Sequence, residues 1–114
     1  DEAYLDLTTV KTLIYLRYSY IQRMAQKYPR HKLADDSYPV EPGQAIATPS
    51  VLKAEAIALA GDWLKAGLIE NLDDFKSTIV SERNALDVNR VDQLLQPDII
   101  NNLMIIACKI QFKL

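Results

Sequence analysis

Few residues in this sequence could do chemistry. His31 is the single histidine, and its basic turn favours a solvated or loop-stabilising role over catalysis. Cys108 is the single cysteine, which excludes an internal disulfide and suits a packing role in a reducing compartment. Asp35 and Asp36 could bind a cation, but two adjacent acids are a weak signal, and neutralising nearby arginines is the simpler role. With three glycines in the chain, no phosphate-binding loop is present. The sequence therefore predicts no catalytic residue, no metal, no cofactor and no enzymatic activity.

Positive charge is concentrated in one stretch that contains no carboxylate. Between Asp6 and Asp35 the chain carries no acid, although its net charge is −2. The cations of this stretch are Lys11, Arg17, Arg23, Lys27, Arg30 and Lys32. They must therefore meet water, a distant acidic segment or another molecule. The net acidity argues against a dedicated nucleic-acid binder, although local charge could override it.

The same stretch has the periodicity of a helix that begins at a cap on Thr8 or Thr9 and ends at Tyr28-Pro29. Its predicted core face comprises Val10, Ile14, Tyr18, Ile21, Ala25 and Tyr28, with Leu13 and Met24 beside them. The predicted polar face comprises Lys11, Ser19, Gln22, Arg23, Gln26 and Lys27.

Arg17 is the exception, because it falls among the apolar positions of that helix. A lone buried guanidinium is costly, so we expect a structural ion pair with a carboxylate of the following loop. The candidates are Asp35, Asp36 and Glu41. In the alternative, the side chain extends along the apolar surface to the edge of the domain.

The remaining elements indicate one α+β domain over residues 1–114. Residues 1–7 are an extended lead-in to the first helix, which a loop from Pro29 to Pro49 follows. A second helix then runs from the Thr48 cap to Gly67, with Trp63 in its core face. A short helical turn begins at Asn71 or at Asp73-Asp74, and strands follow at 77–81 and 90–95. We expect two main helices on one side of a small, mainly antiparallel sheet. No apolar run approaches the ~20 residues of a membrane span, and we expect no signal peptide.

The last segment alternates with a period of two, which predicts a long C-terminal strand over residues 102–114. Met104, Ile106, Cys108, Ile110, Phe112 and Leu114 share one face. Two short internal strands cannot pair with all of it, so part of its backbone must bond to solvent or to another chain.

The order of these parts resembles the C-terminal domain of contractile phage tail sheath proteins, especially the Mu-like group. The resemblance covers nearly the whole chain and rests on the order of several short stretches rather than on one motif. They are Leu7-Thr8-Thr9-Val10, Tyr15-Leu16-Arg17-Tyr18, Tyr28-Pro29-Arg30-His31-Lys32-Leu33-Ala34-Asp35-Asp36, Trp63-Leu64-Lys65-Ala66-Gly67-Leu68, Ser81-Glu82-Arg83-Asn84, Gln96-Pro97-Asp98 and Ile110-Gln111-Phe112-Lys113-Leu114.

The resemblance implies a structural virion protein, with this chain as the C-terminal fragment of a larger subunit. Subunits of that family polymerise helically around a tail tube, with the C-terminal domain innermost, and contract during DNA injection. The implied partners are other sheath subunits and the tube protein, with no nucleic acid and no membrane. The implied location is the virion tail, after assembly in the cytoplasm of the bacterial host.

The resemblance also assigns roles to two sets of residues. Lys11, Arg23 and Lys27 are the expected tube-facing cations. The expected inter-subunit strand comprises Ile110, Gln111, Phe112, Lys113 and Leu114. The alternatives are a small nucleic-acid-binding domain that uses the basic segment 11–32, or another adaptor of the tail or baseplate.

Overall fold

A computed structural model describes residues 2–101 of the chain, with side chains described from Leu7 onward. Its helices are α1 (Glu2–Lys27), α2 (Pro49–Lys65) and α3 (Leu72–Thr78). Its strands are β1 (Lys32–Leu33), β2 (Ile46–Ala47), β3 (Ile69–Glu70), β4 (Val80–Arg83), β5 (Val91–Leu94) and β6 (Asp98–Ile99). These strands form three two-stranded pairs, β1–β2 parallel and both β3–β6 and β4–β5 antiparallel. The predicted α+β class is confirmed, whereas the predicted long C-terminal strand lies outside the described residues.

Helix α1 is longer than the sequence predicts. It begins at Glu2, so the predicted cap at Thr8 or Thr9 and the extended lead-in are wrong for residues 2–7. Thr8 lies inside the helix, where its carbonyl accepts a bond from the Thr12 hydroxyl at 3.0 Å. This local bond satisfies the Thr12 hydroxyl within the helix. The helix ends at Lys27, just before Tyr28-Pro29, as predicted.

Helix α2 has the ends that its sequence predicts. The Thr48 hydroxyl accepts a bond from the Val51 amide at 3.3 Å, and Pro49 occupies the first helical position. At the other end Gly67 has a φ of 76°, a left-handed conformation that glycine adopts without strain. The amides of Gly67 and Leu68 donate to the carbonyls of Leu64 and Trp63, which terminates the helix.

The core is built around α2. This helix buries Ala56, Leu59, Ala60 and Trp63, and the predicted core position of Trp63 is confirmed. The remaining buried members of this cluster are Leu16 of α1, Ile69 of β3, Phe75 of α3 and Ile79. The two alanines leave room for close packing against α2, because they carry only a methyl group.

The second half of the described chain is a set of short elements that cover α2. Asn71, in a left-handed conformation, precedes α3. The predicted strand at 77–81 begins late, at Val80, because Ser77 and Thr78 still belong to α3 and donate their hydroxyls to the Asp74 carbonyl. Strands β4 and β5 form a hairpin whose register runs from the pair Val80 and Leu94 to the pair Arg83 and Val91.

Candidate interaction surface on the first helix

Helix α1 is apolar on two sides. Leu16, Tyr20 and Met24 face the core. A second row lies about 120° further round the helix, at about 100° per residue, and we call it the outer stripe: Leu7, Val10, Ile14, Tyr18 and Ile21, each 49–63% exposed. The predicted core face is therefore wrong for Val10, Ile14, Tyr18 and Ile21, and also for Ala25, which is exposed. Its apolar row is the more regular of the two, but the other row packs on α2.

A residue of the predicted polar face helps to join α1 to α2. The Ser19 hydroxyl accepts a bond from Trp63 Nε1 at 2.9 Å and donates to the Leu16 carbonyl at 2.9 Å. The indole N–H of a buried tryptophan needs such an acceptor. Ser19 is therefore a polar residue on the side of α1 that faces α2.

An ion cluster, which we define as Arg23, Lys27, Glu55 and Asp62, completes this contact. Arg23 Nη2 lies 2.8 Å from Glu55 Oε2, and Arg23 Nη1 lies 2.6 Å from Asp62 Oδ2. Lys27 Nζ lies 3.1 Å from Glu55 Oε1. The Glu55 side chain is only 10% exposed, so this carboxylate meets both cations in a partly dry contact. The carboxylates that the chain lacks around Arg23 and Lys27 are supplied by α2.

The ion cluster holds Glu55 in its charged form. Burial alone raises the pKa of Glu55, but hydrogen bonds from Lys27 and Arg23, with their positive charges, outweigh it. The net result is a Glu55 pKa below its ordinary value. The nearby Tyr28 hydroxyl has a raised pKa, first because of burial and then because of the Glu55 charge.

The stability of the protein is expected to depend on pH through Glu55. A carboxyl whose pKa is lower in the folded chain stabilises the fold fully above its unfolded pKa, and this contribution is lost as pH falls through the folded pKa. Urea unfolding at pH 7 and at successive values below 4.5, the ordinary pKa, should show wild type losing its advantage over Glu55→Gln. Glu82→Gln is the matched control, because Glu82 is exposed and has no ion pair among residues 7–101. A constant difference between wild type and Glu55→Gln down to pH 3 would contradict this assignment.

A second polar connection joins α1 to the β4–β5 hairpin. The Tyr20 hydroxyl donates to Gln93 Oε1, and Gln93 Nε2 donates to the Ser81 hydroxyl at 2.9 Å. Ser81 in turn donates to the Pro49 carbonyl at 2.8 Å, at the first residue of α2. Burial raises the pKa of Tyr20, which keeps its phenol protonated as a donor. Three elements are thus linked by neutral hydrogen bonds.

The acids of the loop have partners other than Arg17. Asp35 Oδ1 lies 2.9 Å from Arg83 Nη1, and Asp36 Oδ1 accepts a bond from the Ser50 amide at 2.8 Å. Arg17 is exposed and forms no ion pair with the residues that the structure describes. The pairing predicted for Arg17 with Asp35 or Asp36 is therefore absent there. Arg17 lines a concavity beside Leu16 and Trp63 but is itself exposed, so no burial cost demands a partner.

The other predicted site residues are placed as follows. Lys11 is exposed and has no ion pair within the described part of the chain. Arg23 and Lys27, the other two predicted tube-facing cations, belong to the ion cluster. His31 Nδ1 lies 3.2 Å from the Pro29 carbonyl, and its ring meets the Tyr28 ring edge-on, which matches a loop-stabilising role. Cys108 and the predicted inter-subunit strand, Ile110–Leu114, lie outside the described residues.

The described residues contain no group of side chains arranged to bind a metal ion. No three of their histidine, cysteine, aspartate or glutamate side chains are grouped as metal ligands. None of the described helices is long and apolar enough to cross a membrane. The notable surface features of residues 7–101 are the outer stripe and the ion cluster.

One signal in the sequence could have found the ion cluster. Arg23 and Lys27 are four residues apart, so they share one side of α1, and Glu55 and Asp62 are seven apart, so they share one side of α2. Two helices with complementary charges at these spacings are candidates for direct pairing.

An exposed apolar helix face beside an interhelical ion cluster offers a surface for contact with other proteins. The chain belongs to the phage tail sheath C-terminal domain family, whose model matches residues 1–113. It is 43% identical over 112 residues to the Mu-like prophage FluMu tail sheath protein of Haemophilus influenzae. The alignment covers 98% of this chain and 23% of that protein, so the chain spans about a quarter of the length of this relative. Comparison with solved structures gives no match.

Family membership confirms the resemblance seen in the sequence. The family is structural rather than enzymatic, and the prediction that the chain is not an enzyme is confirmed on that ground. A structural role in a Mu-like tail sheath follows from the same comparisons.

Proposed function

We propose that this chain is the tube-proximal, C-terminal domain of a larger tail sheath subunit that polymerises helically around a tail tube and contracts during DNA injection. The observation that carries the proposal is the match of the sheath C-terminal family over residues 1–113. The partners are other sheath subunits and the tube protein, with no nucleic acid and no membrane. The subunits assemble in the host cytoplasm and remain in the virion tail.

The proposed link between subunits is the terminal strand. The alternation of residues 103–114 supports it, because a strand added to a neighbour's sheet gains main-chain hydrogen bonds while alternate side chains fill a face. By sequence alternation, Ile110, Phe112 and Leu114 fall on one side of the proposed strand, and Gln111 and Lys113 fall on the other. Such a link survives rigid-body movement, because the ladder stays paired while the chain before it swings.

The proposed tube contact centres on Lys11. Of the three cations that the sequence analysis assigned to the tube, it is the one without an ion pair in the described residues. Arg23 and Lys27 are engaged by Glu55, although the Lys27 side chain is 54% exposed and can meet a further partner. An exposed ion pair contributes only ~0–1 kcal/mol. Weak pairs of this kind suit a sheath that must release its tube during contraction.

Co-assembly of the full-length subunit with tail tubes, viewed by electron microscopy, tests this function. Wild-type subunits should form sheaths on tubes. Lys11→Glu should form sheaths that leave tubes largely uncovered, because the attraction to the tube is reversed. A subunit lacking residues 111–114 should stay soluble and folded but should form no sheaths, either on tubes or apart from them. Lys76→Glu, another exposed lysine without an ion pair in residues 7–101, is the matched control and should assemble normally.

Two outcomes would overturn the proposal. Normal sheaths from the truncated subunit would make the terminal strand a local element. Wild-type subunits that ignore tubes but bind duplex DNA, with an affinity that falls steeply with salt, would support the nucleic-acid alternative instead.

A further inference from the structure

We propose that the outer stripe of α1 docks onto the α2–α3 junction of a second copy of this chain, in a head-to-tail contact. We define the junction as Leu64, Asn71, Leu72, Asp73 and Asp74, which line one concavity. This proposal names a subunit contact within the proposed sheath and in that sense rests on the proposed function. It differs from the terminal-strand link, since it uses a helix face and no main-chain ladder.

The outer stripe is too continuous to be incidental. Single exposed apolar side chains are normal on a protein surface, but rows of them mark interaction sites. Leu7, Val10, Ile14, Tyr18 and Ile21 recur every three or four residues over four turns. The least exposed of them, Val10, is 49% exposed and the most exposed, Ile14, is 63% exposed. None of them belongs to the core cluster or to the partly buried residues packed on it. The row is therefore a second packing face with nothing of the described chain upon it.

The area of the stripe fits a repeated, weak contact. Its exposed surface is on the order of 500 Å², the size of the largest apolar patches on monomeric proteins. Covering it against a partner would bury ~1,000 Å² in total, the lower limit for a specific interface. Two copies joined by one such contact associate weakly in dilute solution. A polymer repeats it at each subunit, so the contact gains strength from neighbouring links.

Charge complementarity indicates which surface covers the outer stripe. Arg17 lies at one edge of the stripe, exposed and without a carboxylate partner among residues 7–101. At the junction, Leu64 is 41% exposed, and it lines the concavity together with Asp73 and Asp74. Neither of those carboxylates has an ion pair within the described residues. Each surface thus offers the charge that the other lacks, beside apolar side chains.

One copy cannot satisfy both surfaces by itself. The stripe faces away from α2, whereas the junction lies at the end of α2 and the start of α3. The contact must therefore run from the stripe of one copy to the junction of the next. Because the two patches differ, the arrangement is heterologous, and a heterologous contact that does not close into a ring gives an open helical array.

Sedimentation velocity of the purified 114-residue chain, from about 10 µM to about 1 mM, tests the proposal in the millimolar-to-micromolar range of weak contacts. Wild type should associate progressively as its concentration rises. Ile14→Asp with Ile21→Asp (stripe variant) and Asp73→Lys with Asp74→Lys (junction variant) should each weaken association at least tenfold. Arg17→Glu is a milder stripe change with the same direction. Leu86→Asp is the control, because Leu86 is 99% exposed and belongs to neither patch. Circular dichroism should show all variants folded, since every changed side chain is exposed.

Mixing the two variants gives the sharpest result. The intact stripe of the junction variant should bind the intact junction of the stripe variant, so an equimolar mixture should associate at lower concentrations than either variant alone. A wild type that stays monomeric throughout overturns the proposal. A junction variant that associates like wild type also overturns it, since the chains would then associate through another surface, such as two stripes or the terminal strand. None of these readouts involves a tube, so failed sheath assembly with intact head-to-tail association would refute the proposed function alone.

Discussion

Trp63→Ala is expected to lower the free energy of unfolding by about 3–5 kcal/mol. The indole is 4% exposed at the centre of the core cluster, between α2 and Leu16 of α1. Its removal leaves a cavity and also leaves the Ser19 hydroxyl without its donor from Trp63 Nε1. Both effects act at the contact between α1 and α2, so the variant should lose the packing of these two helices against each other. Urea unfolding followed by circular dichroism would measure the loss.

Two further variants separate the causes of that loss. Trp63→Phe keeps most of the buried ring but not the N–H, so it should cost clearly less than Trp63→Ala. Leu64→Ala is the positional control, because Leu64 directly follows Trp63 in α2 but is 41% exposed, and its replacement should cost well under 1 kcal/mol. If Trp63→Ala and Leu64→Ala were equally mild, the core would not be centred where the structure places it.

Glu55→Ala is expected to lower the free energy of unfolding by about 2 kcal/mol, within the range for hydrogen bonds to charged groups. Glu55 is the least exposed member of the ion cluster and bonds both Arg23 and Lys27. Without it, Lys27 loses its carboxylate and Arg23 keeps only Asp62. The loss should appear as a lower urea midpoint with an unchanged slope.

A double-mutant cycle with Arg23→Ala would isolate the pair. We expect a coupling free energy between Glu55 and Arg23 of about 1–1.5 kcal/mol, in the range for directly contacting charges. The cycle of Arg23 with Asp62 is the matched control, because the Asp62 side chain is 57% exposed and should couple by less than 1 kcal/mol. Equal coupling in the two cycles would refute the view that burial of Glu55 gives this pair its strength.

The sequence predicted the ends of elements best where the signal is local. The cap at Thr48, the proline after it and the glycine after α2 act within one helical turn, so they are legible without any knowledge of the fold. The stop before Pro29 is local in the same way. By contrast, β1 and β2 are two residues each and pair across a loop, which leaves too little periodicity to detect.

Which side of α1 faces the core could not be read from α1 alone. Both of its rows are apolar, and the row that packs on α2 is interrupted by Ser19, Arg23 and Lys27. Those polar residues are tolerated there because Trp63, Glu55 and Asp62 of α2 satisfy them. The deciding partners lie about thirty to forty residues away, so the pattern along one helix favours the wrong side. For the same reason Asp35 could not be assigned to Arg83, 48 residues away.

The position of the core contacts along α1 has a mechanical consequence. All its core side chains, Leu16, Tyr20 and Met24, lie in the second half of the helix, whereas residues 7–15 contribute none. From Leu16 back to Glu2 the helix extends ~21 Å at 1.5 Å per residue. It is therefore a lever pivoted at its contact with α2. A rotation of about 10° at that pivot would move its far end by about 4 Å. A small repacking against Trp63 would therefore produce a displacement large enough to change the contacts of the far end with a neighbouring molecule.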